Sequence, residues 1–242
     1  MPNIPPSKAA VIEAVALDIE KLLADEGSGH DWQHIHRVWK TAERLGYMEN
    51  ADGFVVSLAA LLHDVDDRKL TGDISTEETV PTARRIMGKA GVDPAVLETV
   101  CETIKMTGFH KSLDGGRSRT LEAHILSDAD QLDAIGAVGI ARTFVYGASR
   151  KRSMFDPSDF PMQEFTAAQY DANKGSTVNH FFEKLLKLRD RMHTESGRLE
   201  AEKRHATMVS FLDDFFEESA APRDWKALLD KYRPAPSSQV TH

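Results

Sequence analysis

With 242 residues and 41% hydrophobic content, the chain has enough apolar material for one sizeable core, which excludes a disordered protein. A formal net charge of -8 excludes a protein that holds duplex nucleic acid by neutralising its phosphates, although a metal and a few local cations can still hold a small phosphorylated molecule. The single cysteine, Cys101, excludes an internal disulfide framework and fits a reducing compartment.

Met1-Pro2-Asn3-Ile4-Pro5-Pro6 carries no charged segment followed by an apolar one, so a cytoplasmic protein is expected. Apolar residues three and four apart recur from end to end and strand signals are scarce, which predicts an all-α fold. The first helix spans residues 7 to 25, with Val11, Val15, Ile19 and Leu22 on one face, and Gly27-Ser28-Gly29 follows it. A second runs from about Asp31 to Leu45, turns Ile35, Val38, Ala42 and Leu45 inward, and is expected to stop at Gly46. Phe54 to His63 is apolar nearly all round, the mark of a helix buried on most sides. Asp93 before Pro94, and Thr120 before a helix over Leu121 to Ala134, are N-caps. Between them, Gly108 to Arg119 reads as a mobile loop and a substrate lid. A helix from Gly136 to Tyr146, rich in glycine and alanine, is expected to pack closely. An irregular stretch over about 147 to 175 follows, then helices over Ser176 to Arg191, Gly197 to Glu218 and Asp224 to Tyr232. The longest apolar stretches are too short or too interrupted for the roughly 20 residues of a bilayer span, so no membrane role is expected.

Four ligand-type side chains occupy core-facing places in this pattern. His34 borders the apolar stripe of the second helix, beside Ile35 and one turn before Val38, while His36 falls on the polar side. The pair His63-Asp64 ends the most apolar helix, one turn after Ala59 and Ala60, whose small side chains admit another helix. Asp130 lies one turn from both Leu126 and Ala134 and faces inward, whereas Asp128 points elsewhere. Buried imidazoles and carboxylates cost several kcal/mol unless paired, and a shared divalent cation satisfies all four together. Two histidines with two carboxylates suit Mn²⁺, Fe²⁺, Co²⁺ or Mg²⁺ better than structural zinc, and leave positions open for water and a phosphate oxygen. His30-Asp31 is a second such pair, but there Asp31 reads more simply as an N-cap.

His34…His63-Asp64…Asp130 resembles the H…HD…D signature of the HD-domain metal-dependent phosphohydrolase superfamily. Gly29-His30-Asp31-Trp32-Gln33-His34-Ile35-His36-Arg37-Val38, Ala60 to Asp67, Asp128 to Gly136 and Ser176 to Phe181 are similar to the small bacterial YedJ/YpgQ-like subgroup, over about residues 27 to 218. The resemblance implies an HD-domain helical bundle with additional C-terminal helices, a single HD-type domain over 1–242 with its core at about 27–218. It also implies one divalent metal ion, Mn²⁺ foremost and Mg²⁺, Co²⁺, Fe²⁺ or Ni²⁺ as alternatives, and cleavage of a nucleoside or deoxynucleoside triphosphate into monophosphate and pyrophosphate by metal-activated water. The partner is then a small-molecule nucleotide, with no nucleic acid and no membrane, and a homodimer is compatible. Alternatives within the superfamily are a phosphatase or phosphodiesterase acting on a nucleoside monophosphate, cyclic nucleotide or alarmone. A di-iron oxygenase using His110 and His124 and a non-catalytic nucleotide-binding module are further readings.

The remaining residues take roles around that centre. Asp67, three residues after Asp64, corresponds in spacing to an acidic residue that activates water in some HD hydrolases, and its alternative is a solvated carboxylate. Arg37 is placed either to meet a phosphate oxygen or to pair with a core carboxylate. Lys69, Lys105 and Lys111 are candidate contacts for a triphosphate, and Asp133, one turn after Asp130, is a candidate acceptor for a ligand histidine. Arg142 and Tyr146 share a helix face, and the match to the subgroup implies that they line the pocket, with Tyr146 against a base. Lys184 and Arg204 are weaker candidates for a cationic wall.

Overall fold

The computed structural model describes residues 4–24, 31–67, 75–107, 120–162 and 175–233, and among them all regular structure is helical, as the three-and-four spacing predicts. Two compact units form: Met1–Asp133 with Met192–Gly197, and Ala134–Arg191 with Arg198–His242. No helix among the described residues is long and apolar enough to cross a membrane.

The first unit contains α1 (Pro6–Leu22), α2 (Trp32–Met48), α3 (Gly53–Leu62), α4 (Ser75–Thr79), α5 (Pro81–Lys89), α6 (Pro94–Lys105) and α7 (Leu121–Asp133). Its hub is α3, buried at every position from Phe54 to Leu62 and packed against α1, α2, α6 and α7. An apolar helix with no polar face exists only when enclosed. Each enclosed Leu, Val or Phe stabilises by about 1.5–3 kcal/mol over exposure, against a backbone ordering cost of roughly 1–2 kcal/mol per residue. Capping sets the starts: Asp31 accepts from the His34 amide, Asp52 from Phe54 and Val55, Asp93 from Ala95 and Val96, and Thr120 from Ala123.

Several expectations change. The inward face of α1 is Ile12, Val15, Ala16 and Ile19, while Leu22 is exposed, so the stripe is rotated by part of a turn. Gly46 does not stop α2: it is buried inside the helix, where an added Cβ would meet Val56 at ordinary contact distance, and the chain turns only at Asn50, whose φ of 57° is left-handed. Two helices over 75–89 have no counterpart in the sequence reading. The longer, α5, begins at Pro81, and its Thr82 and Ala83 amides donate to the buried carboxylate of Asp66 at 3.1 and 3.0 Å. A long-range cap of this kind leaves no local sequence signal.

The second unit contains α8 (Gly136–Ser149), α9 (Asn179–Glu183), a 3₁₀ segment (Leu185–Arg191), most of α10 (Glu195–Glu218) and α11 (Arg223–Asp230). A single helix over Ser176 to Arg191 is replaced by the short α9 and the 3₁₀ segment, because the backbone breaks at Lys184 (φ -134°, ψ -60°). Leu185, Leu186 and Leu188 are buried in either winding, so the apolar pattern does not separate them. The core is aromatic: Phe155, Phe182 and Phe216 surround Trp225, whose indole N–H donates to Pro157 O at 3.1 Å. The expected close packing of α8 is present at Gly136, where a Cβ would meet the Arg204 side chain at 3.0 Å, and the helix runs on to Ser149, past the end expected at Tyr146.

Candidate metal centre

Three elements of the first unit deliver the centre. His34 sits in the first turn of α2, where Asp31 holds its backbone amide at 2.8 Å. His63 is the C-cap of α3, so the end of the buried helix carries its imidazole, with Asp64 next in the chain. Asp130 lies in the last turn of α7, one turn before Asp133. The ligand atoms of His34, His63 and Asp130 all lie within 4.8 Å of one another.

Each imidazole is oriented by its outer nitrogen. The Nδ1–H of His34 donates to Asp133 Oδ2 at 2.8 Å, and that of His63 donates to Ala60 O at 2.8 Å, because a carboxylate and a carbonyl can only accept. In the neutral form that ligates a metal, each ring therefore presents its Nε2 lone pair inward. There His34 Nε2 meets Asp64 Oδ2 at 3.3 Å and Asp130 Oδ1 at 3.6 Å. His63 Nε2 lies 3.4 Å from Asp64 Oδ1 and 3.9 Å from Asp130 Oδ1. This His63 nitrogen is buried without a hydrogen-bond partner among the described residues, and a lone-pair acceptor facing carboxylates is satisfied by a cation between them. The donor set thus fits a divalent metal.

Electrostatics agree. Burial opposes a charge on His34, but the hydrogen bond to Asp133, then that to Asp64, with the charges of Asp130 and Asp64, overcome it and raise the imidazole to about 9. A negative field that holds a proton so firmly also holds a divalent cation. The side chains of His34 and His63 are 3% and 6% exposed, whereas that of Asp130 is 46% exposed, so solvent and solutes reach the cluster from the Asp130 side.

The other sequence candidates fall in different surroundings. Asp133 is buried and bonded to both His34 and Arg37, whose Nε and Nη2 donate to its two oxygens at 2.6 and 3.0 Å. The Asp67 amide donates to Asp64 O at 3.0 Å, closing a turn directly after the His-Asp pair. Lys105 ends α6 and bonds Glu102 at 2.9 Å. Arg142 and Tyr146 lie one turn apart on α8 in the second unit, with the Arg150 guanidinium 5.3 Å from the Tyr146 ring. Lys69, Lys111 and His110, and the loop expected as a lid, lie outside the described residues. His124 stacks on His193 with ring centroids 4.7 Å apart.

Asp128 points away from the centre, as its register predicts, but its partners were not legible in the sequence. The fully buried carboxylate accepts from the amides of His193 and Thr194 at 2.9 and 2.8 Å and from Thr194 Oγ1 at 2.7 Å. It thereby anchors Met192–Gly197 within the first unit, and Gly197 has no room for a Cβ beside it. Partners 65 and 66 residues away carry no local signature.

Comparison with known proteins places this geometry. The HD domain matches residues 31–135, the stretch that holds all four expected ligands. The protein YpgQ of Bacillus subtilis is 33% identical over 204 residues, covering 83% of this chain and 89% of YpgQ. The crystal structure of YpgQ in complex with ADP superposes with a TM-score of 0.69 at 30% identity, over 88% of this chain and 96% of that one. A protein of Lactobacillus plantarum gives 0.73 at 32% identity, over 90% of this chain and all 100% of that one. An HD-superfamily hydrolase of Bacillus thuringiensis gives 0.70 at 34% identity, over 89% and 100%.

Proposed function

Because the chain belongs to the HD-domain superfamily of metal-dependent phosphohydrolases, in its YpgQ-like bacterial branch, we propose that it hydrolyses a nucleoside or deoxynucleoside triphosphate to the monophosphate and pyrophosphate. The observation that carries the reading is the His63 imidazole, whose buried, unpartnered Nε2 faces the same carboxylates as His34. The ADP bound by a relative supports a nucleotide as substrate. We take His34, His63, Asp64 and Asp130 as the ligand set, and Mn²⁺ as the proposed ion among the divalent cations that such nitrogens and oxygens hold.

A bound divalent cation supplies Lewis acidity toward a phosphoryl oxygen and acidifies water near neutral pH. The protein's own part begins with the two outer hydrogen bonds, from His34 to Asp133 and from His63 to Ala60, which hold both imidazoles in the lone-pair-inward tautomer. Asp67, in the turn after Asp64, receives the proton of the attacking water as its oxygen bonds to the α-phosphorus. The bond from the α-phosphorus to the bridging oxygen breaks, and pyrophosphate carries away the electron pair. Lys69 and Lys105 are the proposed contacts for the phosphates. The half-exposed carboxylate of Asp130 supports entry from that side.

A panel of nucleoside and deoxynucleoside mono-, di- and triphosphates, cyclic nucleotides and alarmones, assayed with Mn²⁺, Mg²⁺, Co²⁺ and chelator, tests the reading. Stoichiometric pyrophosphate from a triphosphate is expected. Orthophosphate alone would make the enzyme a different phosphatase.

A further inference from the structure

Arg37 had two roles open to it in the sequence, a phosphate contact or a partner for a core carboxylate, and its surroundings separate them. Its Nε and Nη2, the side edge of the guanidinium fork, are both committed to the two oxygens of Asp133. The Asp133 side chain is only 4% exposed while that of Arg37 is 34% exposed, so the carboxylate end of the pair is sheltered from the screening that makes surface ion pairs weak. The same Oδ2 that accepts from Arg37 accepts from His34 Nδ1. Arg37 and His34, one turn apart on α2, thus grip one carboxylate of α7, which itself lies one turn after Asp130.

We infer that Arg37 is a positioning residue of the metal centre: by clamping Asp133 it fixes the tautomer and ring plane of His34 and the separation of the two ligand-bearing helices, and so sets cation affinity. The physical reason is the freedom an unclamped carboxylate would have. Without the two guanidinium bonds Asp133 loses the contacts that hold its carboxylate plane, so it could rotate about its χ2, weakening the bond from Nδ1–H and letting His34 take the tautomer whose Nε2 carries a proton and cannot ligate. Two parallel bonds from a planar guanidinium fix the carboxylate plane, and an ammonium, a point charge, does not. The inference rests on the metal centre of the proposed function and not on its substrate.

The test compares wild type with Arg37→Ala, Arg37→Lys and Asp133→Asn. Mn²⁺ affinity is measured by calorimetry at one pH, the His34 tautomer by long-range ¹H–¹⁵N correlation in the metal-free protein at about pH 10, where the imidazole is neutral, and kcat and KM at saturating Mn²⁺. Arg37→Ala is expected to weaken Mn²⁺ binding roughly 10- to 100-fold and to broaden His34 into mixed tautomers. Added methylguanidinium is expected to restore part of the affinity, and KM at saturating Mn²⁺ to stay within about twofold. Arg37→Lys should fall between wild type and Arg37→Ala, and it carries the test if Arg37→Ala does not fold. Asp133→Asn should lose affinity in the same direction, with little further loss in the double variant. Unchanged Mn²⁺ affinity and a single His34 tautomer in Arg37→Ala, with KM raised tenfold or more, would overturn the inference and make Arg37 a phosphate contact. If no nucleotide is turned over by any variant, the titration and the tautomer still decide this role, while the proposed reaction fails separately.

Discussion

Replacing Asp128 by alanine isolates the contact that secures Met192–Gly197 in the first unit. The carboxylate is fully buried and accepts three hydrogen bonds, two from backbone amides and one from the Thr194 hydroxyl. Charge-assisted bonds of this kind contribute about 1.5–3 kcal/mol each, so their gross loss is roughly 4.5–9 kcal/mol. Removing the charge also returns the several kcal/mol spent on its desolvation, which leaves a net loss of about 3–4 kcal/mol. Asp128→Asn keeps one acceptor but sets an amide donor against a backbone N–H, for a loss of about 2–3 kcal/mol. Gly197→Ala destabilises by another route, because its new methyl would overlap the Asp128 carboxylate. Urea denaturation at fixed Mn²⁺ gives the magnitude, and amide exchange at residues 193 and 194 gives the location. Should both Asp128 variants fall within about 1 kcal/mol of wild type, with those two amides still protected, the carboxylate is not the anchor.

Four further outcomes are expected. His63→Ala should abolish stoichiometric Mn²⁺ binding and turnover together; in the wild type, Mn²⁺ at 100 times its Kd should stabilise the fold by about 2.7 kcal/mol, reversed by chelator in a thermal-shift assay. Asp67→Asn should retain Mn²⁺ while kcat falls by roughly 10²–10⁴, and a loss below threefold would remove Asp67 from the proton transfer. Gly46→Ala should stabilise by about 0.5–1 kcal/mol, since its Cβ meets Val56 at an ordinary 3.5 Å; destabilisation in a urea titration would contradict that packing. Burial, with the charges of Lys184 and Arg152, pushes His180 down to about 3 from its usual 6.5, so below pH 6.5 the unfolded chain takes up a proton that the fold refuses. Stability should therefore fall on acidification by up to about 1.4 kcal/mol per pH unit between 6.5 and 3, and His180→Gln should flatten that slope; an identical pH profile would refute it.

Local chemistry made much of this protein legible. Asp31, Asp93 and Thr120 announce helix starts because a cap acts within three residues of itself. The unbroken apolar run from Phe54 to Leu62 declares a buried helix, and the polar pair at its end is conspicuous for that reason. The buried face of α1 and the break at Lys184 were not legible, since a few apolar positions tolerate more than one phase or winding.

By itself, then, the sequence determined the helical class and the identity of the ligand-type residues on inward faces, because helical periodicity and side-chain chemistry are properties of neighbours in the chain. Tertiary structure alone decided that His63 Nε2 is buried with no hydrogen-bond partner among the described residues, that Arg37 spends its guanidinium on Asp133, and that Asp66 and Asp128 serve as remote caps. These are pairings across 16 to 96 residues, and only packing of the helices settles which of several polar groups each one meets.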